Sequence, residues 1–207
     1  EHVESGRSYL SKGLLRKAAA IANQNIQYLS PLVSKEVPIV GIEPSALLTL
    51  RDEYKDLASP ENKAAAIHLA NHTYTIEEFF AREIAAGNIT AEAFTETPKQ
   101  IALHGHCYQK VLSSQNHSVT MLSLPKNYSV DIIPSGCCGM AGSFGYEKEH
   151  YEVSQKVGEM VLFPAVRKVA GEKVIAAAGT SCRHQIKDGT DVVALHPVEV
   201  LYEALVL

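Results

Sequence analysis

Apolar residues recur with a helical period at the start of the chain and form short β-branched runs further along it. A spacing close to 3.6 residues predicts a long helix over residues 5–35. The run VPIVGI at 37–42 predicts a buried strand, and Pro44 then introduces a helix with Ser45 as its expected N-cap. The helices expected in this half are residues 45–57, 59–72 and 75–87.

After a linker at residues 88–98, strand patterns alternate with helix patterns. The expected strands are residues 100–107, 117–124, 128–136, 173–179 and 191–197. The expected helices are residues 107–115, 147–170, 180–188 and 197–205. Regular alternation of this kind predicts an α/β fold with short, largely parallel sheets flanked by helices.

The first strand–helix unit resembles the last one. Residues 37–48 align without a gap with residues 173–184. We therefore expect two pseudo-repeated lobes, residues 1–98 and 99–207. The first lobe is expected to be truncated at its N-terminus and to lack cysteines. The alternative is chance similarity between two ordinary strand–helix units.

Composition and charge restrict the class of protein. Of the 207 residues, 46% are hydrophobic and 20% are charged, so the chain can bury a core without disulfide support. A net charge of −4 argues against a surface for nucleic acid or anionic lipid. No apolar run approaches the roughly 20 residues of a transmembrane helix, and no signal-peptide core is visible. We expect a cytoplasmic protein, with the cytoplasmic face of the membrane as the alternative location.

Four cysteines carry the candidate chemistry, and each lies at the end of a predicted strand or shortly after one. They are Cys107, Cys137, Cys138 and Cys182. The set is too sparse for a disulfide scaffold, and two of its members are adjacent. The carboxyl ends of parallel strands meet at one edge of a sheet, so three loops can bring four sulfurs together. Thiolates bind zinc and iron–sulfur clusters well, and this favours a shared metal or cluster site.

Other roles for these residues stay open. The adjacent pair Cys137 and Cys138 can be a redox thiol pair, and a cysteine nucleophile can use His106 or His184 as its base. His104, His106 and His184 lie near cysteines in the sequence, so each is a candidate ligand or a hydrogen-bond donor to a ligand. His106 is the first choice because it adjoins Cys107. Gly139 can bring backbone amides close to the sulfurs.

The cysteine motifs resemble a known family. PSGCCGMAGSFG, with HGHC before it and GTSCRHQI after it, resembles the cysteine-rich (CCG) domain of heterodisulfide reductase B-subunits and glycolate oxidase iron–sulfur subunits. The runs CCGMAGSFGYEKEHYEVS, EPSALLTLRDEY and HPVEVL are most similar to the C-terminal region of fused FAD-linked oxidases, which are 2-hydroxyacid dehydrogenases. The resemblance covers nearly the whole chain.

This resemblance implies an electron-transfer module of a lactate- or glycolate-type oxidoreductase. Cys107, Cys137, Cys138 and Cys182 would hold an iron–sulfur cluster such as [4Fe–4S], or zinc. FAD is expected elsewhere in the full-length protein, and this chain has no expected catalytic residue. The implied partners are a flavin domain or subunit, a ferredoxin-like segment and an electron acceptor. The alternative is a structural zinc domain that docks partner subunits.

The chain departs from the family pattern in two places. The pattern often ends in Cys-x-x-Cys, whereas Cys182 is followed by Arg183, His184 and Gln185. The missing fifth thiol argues against a noncubane cluster that needs five. In the first lobe Ala46 stands where the strand-end cysteine is expected, so that lobe is expected to hold no metal.

Overall fold

The computed structural model describes residues 3–206, which divide after Thr75 into two compact units. Each unit contains a short parallel sheet flanked by helices, and this confirms the α/β class. The units divide earlier than the lobe boundary expected after residue 98, because the helix Ile76–Ala85 packs against the helix Gln115–Leu122 of the second unit. A repeat of two related lobes remains a prediction.

Within residues 3–75, the first unit contains five α-helices and two strands. The helices are α1 (Arg7–Ser11), α2 (Leu15–Leu29), α3 (Pro44–Arg51), α4 (Glu53–Leu57) and α5 (Lys63–Asn71), and the strands are β1 (Ile39–Gly41) and β2 (Thr73–Thr75). β1 and β2 pair in parallel, with Ile39 opposite Thr73. Ile26, Tyr54 and Leu69 lie at the centre of the core that the helices form. Burial of such side chains supplies the main stabilising term of the unit.

Two expectations for this unit were wrong in detail, and one strand had no counterpart among the predicted elements. The long helix over 5–35 is two helices, because the chain turns at Gly13 between α1 and α2. The N-cap of α3 is Glu43 rather than Ser45, and its Oε1 accepts a hydrogen bond from the Ser45 amide at 3.2 Å. β2 was not predicted, since three residues with threonine at both ends give too short a pattern to identify.

The described part of the second unit, residues 76–206, has a three-stranded sheet and seven α-helices. The helices are α6 (Ile76–Ala85), α7 (Cys107–Leu112), α8 (Gln115–Leu122), α9 (Tyr151–Met160), α10 (Leu162–Val169), α11 (Thr180–Thr190) and α12 (Pro197–Tyr202), and the strands are β3 (Lys99–His104), β4 (Tyr128–Ile132) and β5 (Val174–Ala177). The strand order is β4-β3-β5, and both pairings are parallel. All three strands therefore end at the same edge of the sheet.

Two predicted strands of this unit do not form. Residues 117–124 lie mostly in α8, where Ser114 Oγ caps the helix by accepting from the Asn116 amide at 3.1 Å. Ser118, Met121 and Leu122 are its buried residues, which is helical spacing rather than alternation. Residues 191–197 contribute only one bridge, between Leu195 and Ala176 of β5.

Side chains alternate across the three-stranded sheet and form a core on each face. Ile101 and Leu103 point into the core that includes α8 and α12. Ala102 and Ile175 point into the opposite core, which includes α10 and α11 and also Cys138 and Cys182. The buried cysteines are thus backed by apolar packing. Across residues 3–206, no helix is both long and apolar enough to cross a bilayer.

Candidate metal centre

Three loops at the carboxyl edge of the second sheet carry the four cysteines, as the sequence predicted. β3 ends at His104, and after two residues α7 begins with Cys107. Cys137 and Cys138 lie in the turn after β4, and Cys182 is the third residue of α11, which follows β5. Residues 136–142 are called the CCG turn below. Cys138 and Cys182 are buried, whereas Cys107 and Cys137 are half-buried.

The CCG turn points backbone amides at its sulfurs. Gly139 has φ 104°, and its amide donates to Cys137 Sγ at 3.3 Å. The amide of Ala141 also bonds to Cys137, and that of Met140 to Cys138. A Cβ atom at Gly139 would lie 2.2 Å from the Ser154 carbonyl oxygen, so only glycine fits there. Successive amides of this kind form a concavity that favours negatively charged sulfur.

The loop between β5 and α11 also approaches the sulfurs closely. A Cβ atom at Gly179 would lie 3.2 Å from Cys182 Sγ and 2.4 Å from His106 Cδ2. The absence of that Cβ leaves the space in which Cys182 and the His106 ring lie side by side. This close approach was not predicted, although the glycine precedes Cys182 in the motif GTSC.

Cys138, Cys182 and His104 form the tightest group. One ring nitrogen of His104 and the two sulfurs lie within 4.8 Å of one another, and all three residues are buried. His104 Nδ1 is hydrogen-bonded to Ser135 Oγ at 2.7 Å. His104 Nε2 is buried, with no hydrogen-bond partner among residues 3–206. A buried, unsatisfied ring nitrogen beside two sulfurs suits a metal ion, since a bond to metal would satisfy it.

The four thiols are in contact along a chain from Cys107 to Cys182. The Cys107 and Cys138 thiols both hydrogen-bond to Cys137, and this lowers the pKa of Cys137 strongly. Hydrogen bonding to Cys138 likewise lowers the pKa of Cys182, with His104 adding to the effect while burial opposes it. The same contacts, together with burial, raise the pKa values of Cys107 and Cys138. A metal ion binds cysteines as thiolates, so its binding would replace the protons that these hydrogen bonds hold between the sulfurs.

The three candidate histidines, His104, His106 and His184, lie in different environments. His104 lies beside the buried sulfurs, as described above. His106, the first choice from sequence, caps α7 by accepting the Tyr108 amide at Nδ1 (3.2 Å), while its ring packs against Gly179. His184 is exposed on α11, and its Nδ1 lies 3.0 Å from the Tyr146 hydroxyl.

The donor set fits a thiophilic metal. Two buried sulfurs beside a buried imidazole, two further sulfurs linked to them by hydrogen bonds, and several inward amides are groups that can hold zinc or an iron–sulfur cluster. The predicted ligands Cys107, Cys137, Cys138 and Cys182 are all brought together, and His104 joins them. Ser135, which follows the end of β4, orients the His104 ring, and no sequence pattern indicates this role.

The chain is similar to two kinds of dehydrogenase. It is 25% identical over 201 residues to one subunit of the anaerobic glycerol-3-phosphate dehydrogenase of Escherichia coli (strain K12), and the match covers 97% of this chain and 49% of that protein. It is 28% identical over 204 residues to the D-2-hydroxyglutarate dehydrogenase of the same strain, covering 97% of this chain and 19% of that protein. The D-2-hydroxyglutarate dehydrogenase of Haemophilus influenzae is 27% identical over 216 residues.

The chain therefore spans about half the length of the first relative and about a fifth of the others. The relatives are dehydrogenases, in agreement with the oxidoreductase class that the resemblance implied. No family model matches the chain. No solved structure matches it. Assignment to the CCG domain, and the binding of a metal or cluster, remain predictions.

Proposed function

We propose that this chain is the metal-carrying electron-transfer module of a flavin-linked dehydrogenase that oxidises a 2-hydroxy acid. One observation carries the proposal: four thiols and a buried histidine converge at the carboxyl edge of one parallel sheet. The dehydrogenase relatives support the reaction class. The substrate, the flavin domain, the ferredoxin-like segment and the acceptor all belong to the proposal.

Cys107, Cys137, Cys138 and Cys182 would hold an iron–sulfur cluster, which supplies a one-electron acceptor when bound. The chain's own residues prepare this site. The amides of Gly139, Met140 and Ala141 stabilise negative charge on the sulfurs. The apolar core behind Cys138 and Cys182 keeps water away on one side. Half-buried Cys107 and Cys137 leave the other side nearer the surface, where electrons can pass to a partner.

The test is metal analysis of the 207-residue chain prepared without oxygen. We expect iron and acid-labile sulfide in stoichiometric amounts, together with a visible charge-transfer band that dithionite bleaches. Cys137→Ser should lose both, because three thiolates leave the cluster an open position. An iron-free chain, or full iron retention in Cys137→Ser, would contradict the proposal.

A second candidate function is a structural zinc site that docks partner subunits. The His104–Cys138–Cys182 group favours it, because three ligand atoms within 4.8 Å match a compact mononuclear site. In that case zinc replaces iron in the analysis, and the protein is colourless.

Histidine variants separate the two candidates. With zinc, His104→Ala should lower metal content, and His106→Ala should keep the metal while losing about 1 kcal/mol of stability as a helix cap. With a four-thiolate cluster, both histidine variants should keep their iron.

A further inference from the structure

Lys110 is a cation beside the candidate metal centre that the proposed function does not use. It is three residues after Cys107 in α7, so both side chains lie on the same face of that helix. Its ammonium group donates to the carbonyl oxygens of Ser135 and Gly136, the latter at 3.0 Å. These two carbonyls immediately precede Cys137. One side chain therefore joins the element that carries Cys107 to the entrance of the CCG turn.

The residues around Lys110 leave room for its side chain and interact with its charge. A Cβ atom at Gly105 would lie 3.0 Å from Lys110 Cε, so the glycine leaves room for the lysine stem. Burial lowers the pKa of Lys110, while its attraction to all four cysteines acts in the opposite direction. The positive charge of Lys110 therefore interacts with each of the four proposed ligands.

Ser135 links Lys110 to His104. Its side chain holds His104 and its carbonyl holds Lys110, so both contacts depend on the same residue of the chain. Movement of Lys110 would release the backbone that positions both His104 and Cys137.

We propose that Lys110 is a positioning residue that fixes the CCG turn against α7 and offsets the negative charge of the metal–thiolate centre. This inference rests on the proposed function. Four thiolates around Zn²⁺ or around a [4Fe–4S]²⁺ core leave a net negative charge, and a nearby cation stabilises it. The cation stabilises the reduced cluster more than the oxidised one, because reduction adds a further negative charge.

The experiment compares Lys110→Met with Lys156→Met, which removes an exposed lysine of α9. Each 207-residue variant is titrated with Co²⁺ under anaerobic conditions and followed by its sulfur-to-cobalt absorption. We expect Lys110→Met to bind Co²⁺ about tenfold more weakly than the wild type, which is the usual effect of losing a group that supports a ligand. Lys156→Met should bind as the wild type does.

Two further variants separate charge from folding. Lys110→Gln keeps a hydrogen-bond donor and loses the charge, so the midpoint potential of its reconstituted cluster should fall even if its stability is unchanged. Lys110→Arg keeps the charge and should restore the potential towards that of the wild type. If Lys110→Met does not fold, the Gln and Arg variants still show whether the charge of Lys110 affects the midpoint potential.

The results distinguish the two ideas. A wild type that binds Co²⁺ or holds iron, with all Lys110 variants equal to Lys156→Met in affinity and potential, would overturn the lysine inference and leave the proposed function intact. A wild type that binds neither Co²⁺ nor iron would overturn both.

Discussion

Ser135 Oγ lies 2.7 Å from His104 Nδ1, and both residues are buried at the carboxyl edge of the second sheet. This bond fixes the orientation of the imidazole, and its other nitrogen remains available beside Cys138 and Cys182. In metal sites, a partner of this kind sets the tautomer and the direction of a histidine ligand.

Loss of that contact should weaken a site in which His104 is a ligand. We expect Ser135→Ala to lower Zn²⁺ affinity by about 10–100-fold, because the ring is then free to rotate away from the sulfurs. Ser129→Ala, at an exposed position of β4, is the matched control and should have no effect. Affinity is measured by competition with a chromophoric chelator. Equal affinity in the two variants would argue against His104 as a ligand.

The two strand–helix units allow a paired cysteine test. Ala46 is the third residue of α3 and Cys182 is the third residue of α11, so both follow a parallel strand at the same helical position. Cys182→Ser should abolish stoichiometric metal binding, since it removes a buried ligand that contacts Cys138. Ala46→Cys should leave metal content unchanged, because its unit lacks the CCG turn. Elemental analysis measures both, and a second metal equivalent in Ala46→Cys would contradict this expectation.

The CCG turn contains its own control for a glycine test. Gly139 has φ 104°, and a Cβ there would overlap the Ser154 carbonyl, whereas a Cβ at Gly136 would meet nothing within 4 Å. Gly139→Ala should cost about 1–3 kcal/mol in the free energy of unfolding through backbone strain, with more from the overlap. It should also weaken metal binding, because the amide that donates to Cys137 moves.

Gly136→Ala should change neither the free energy of unfolding nor the metal affinity by a measurable amount. Urea unfolding and Co²⁺ titration provide the two readouts. If both alanine variants behave alike, the conformation of the CCG turn is not what supports the sulfurs.

The location of the cysteines follows from the sequence more directly than the position of each candidate histidine. Loops after β3, β4 and β5 converge because parallel strands end at one edge, and that follows from the alternation of helices and strands alone. His106 adjoins Cys107 in the sequence, and its Nδ1 accepts a hydrogen bond from the Tyr108 amide. His104 instead belongs to the end of β3, and only the sheet register shows that it meets Cys138 and Cys182.

Local sequence patterns also fail to identify α8 and β2. In residues 117–124 the apolar residues fit a strand as well as a helix, and the Ser114 cap that starts α8 lies outside that run. β2 forms because Thr73–Thr75 pairs with β1, a partner more than thirty positions away in the chain. Pairing between distant segments decides such short elements, and local patterns do not contain it.

Tyr54 gives a prediction for the stability of the first unit at alkaline pH. The side chain is fully buried, its hydroxyl donates to the Ser5 carbonyl at 3.0 Å, and it accepts from Asn25 Nδ2 at 2.9 Å. Burial raises the pKa of Tyr54 from 10.0 to about 12. The folded state therefore keeps the phenol proton at pH values where the unfolded chain has lost it.

The sign of the effect follows from this difference. Below the unfolded pKa of 10.0 both states are protonated, so this group contributes no pH dependence. As the pH rises from 10.0 to about 12, the unfolded state alone loses a proton, and the free energy of unfolding falls by up to about 1.4 kcal/mol per pH unit. Urea unfolding across this range should show a smaller decline for Tyr54→Phe than for the wild type. Tyr28→Phe, at an exposed tyrosine, should follow the wild type. An equally steep decline in Tyr54→Phe would mean that other groups cause the alkaline loss of stability.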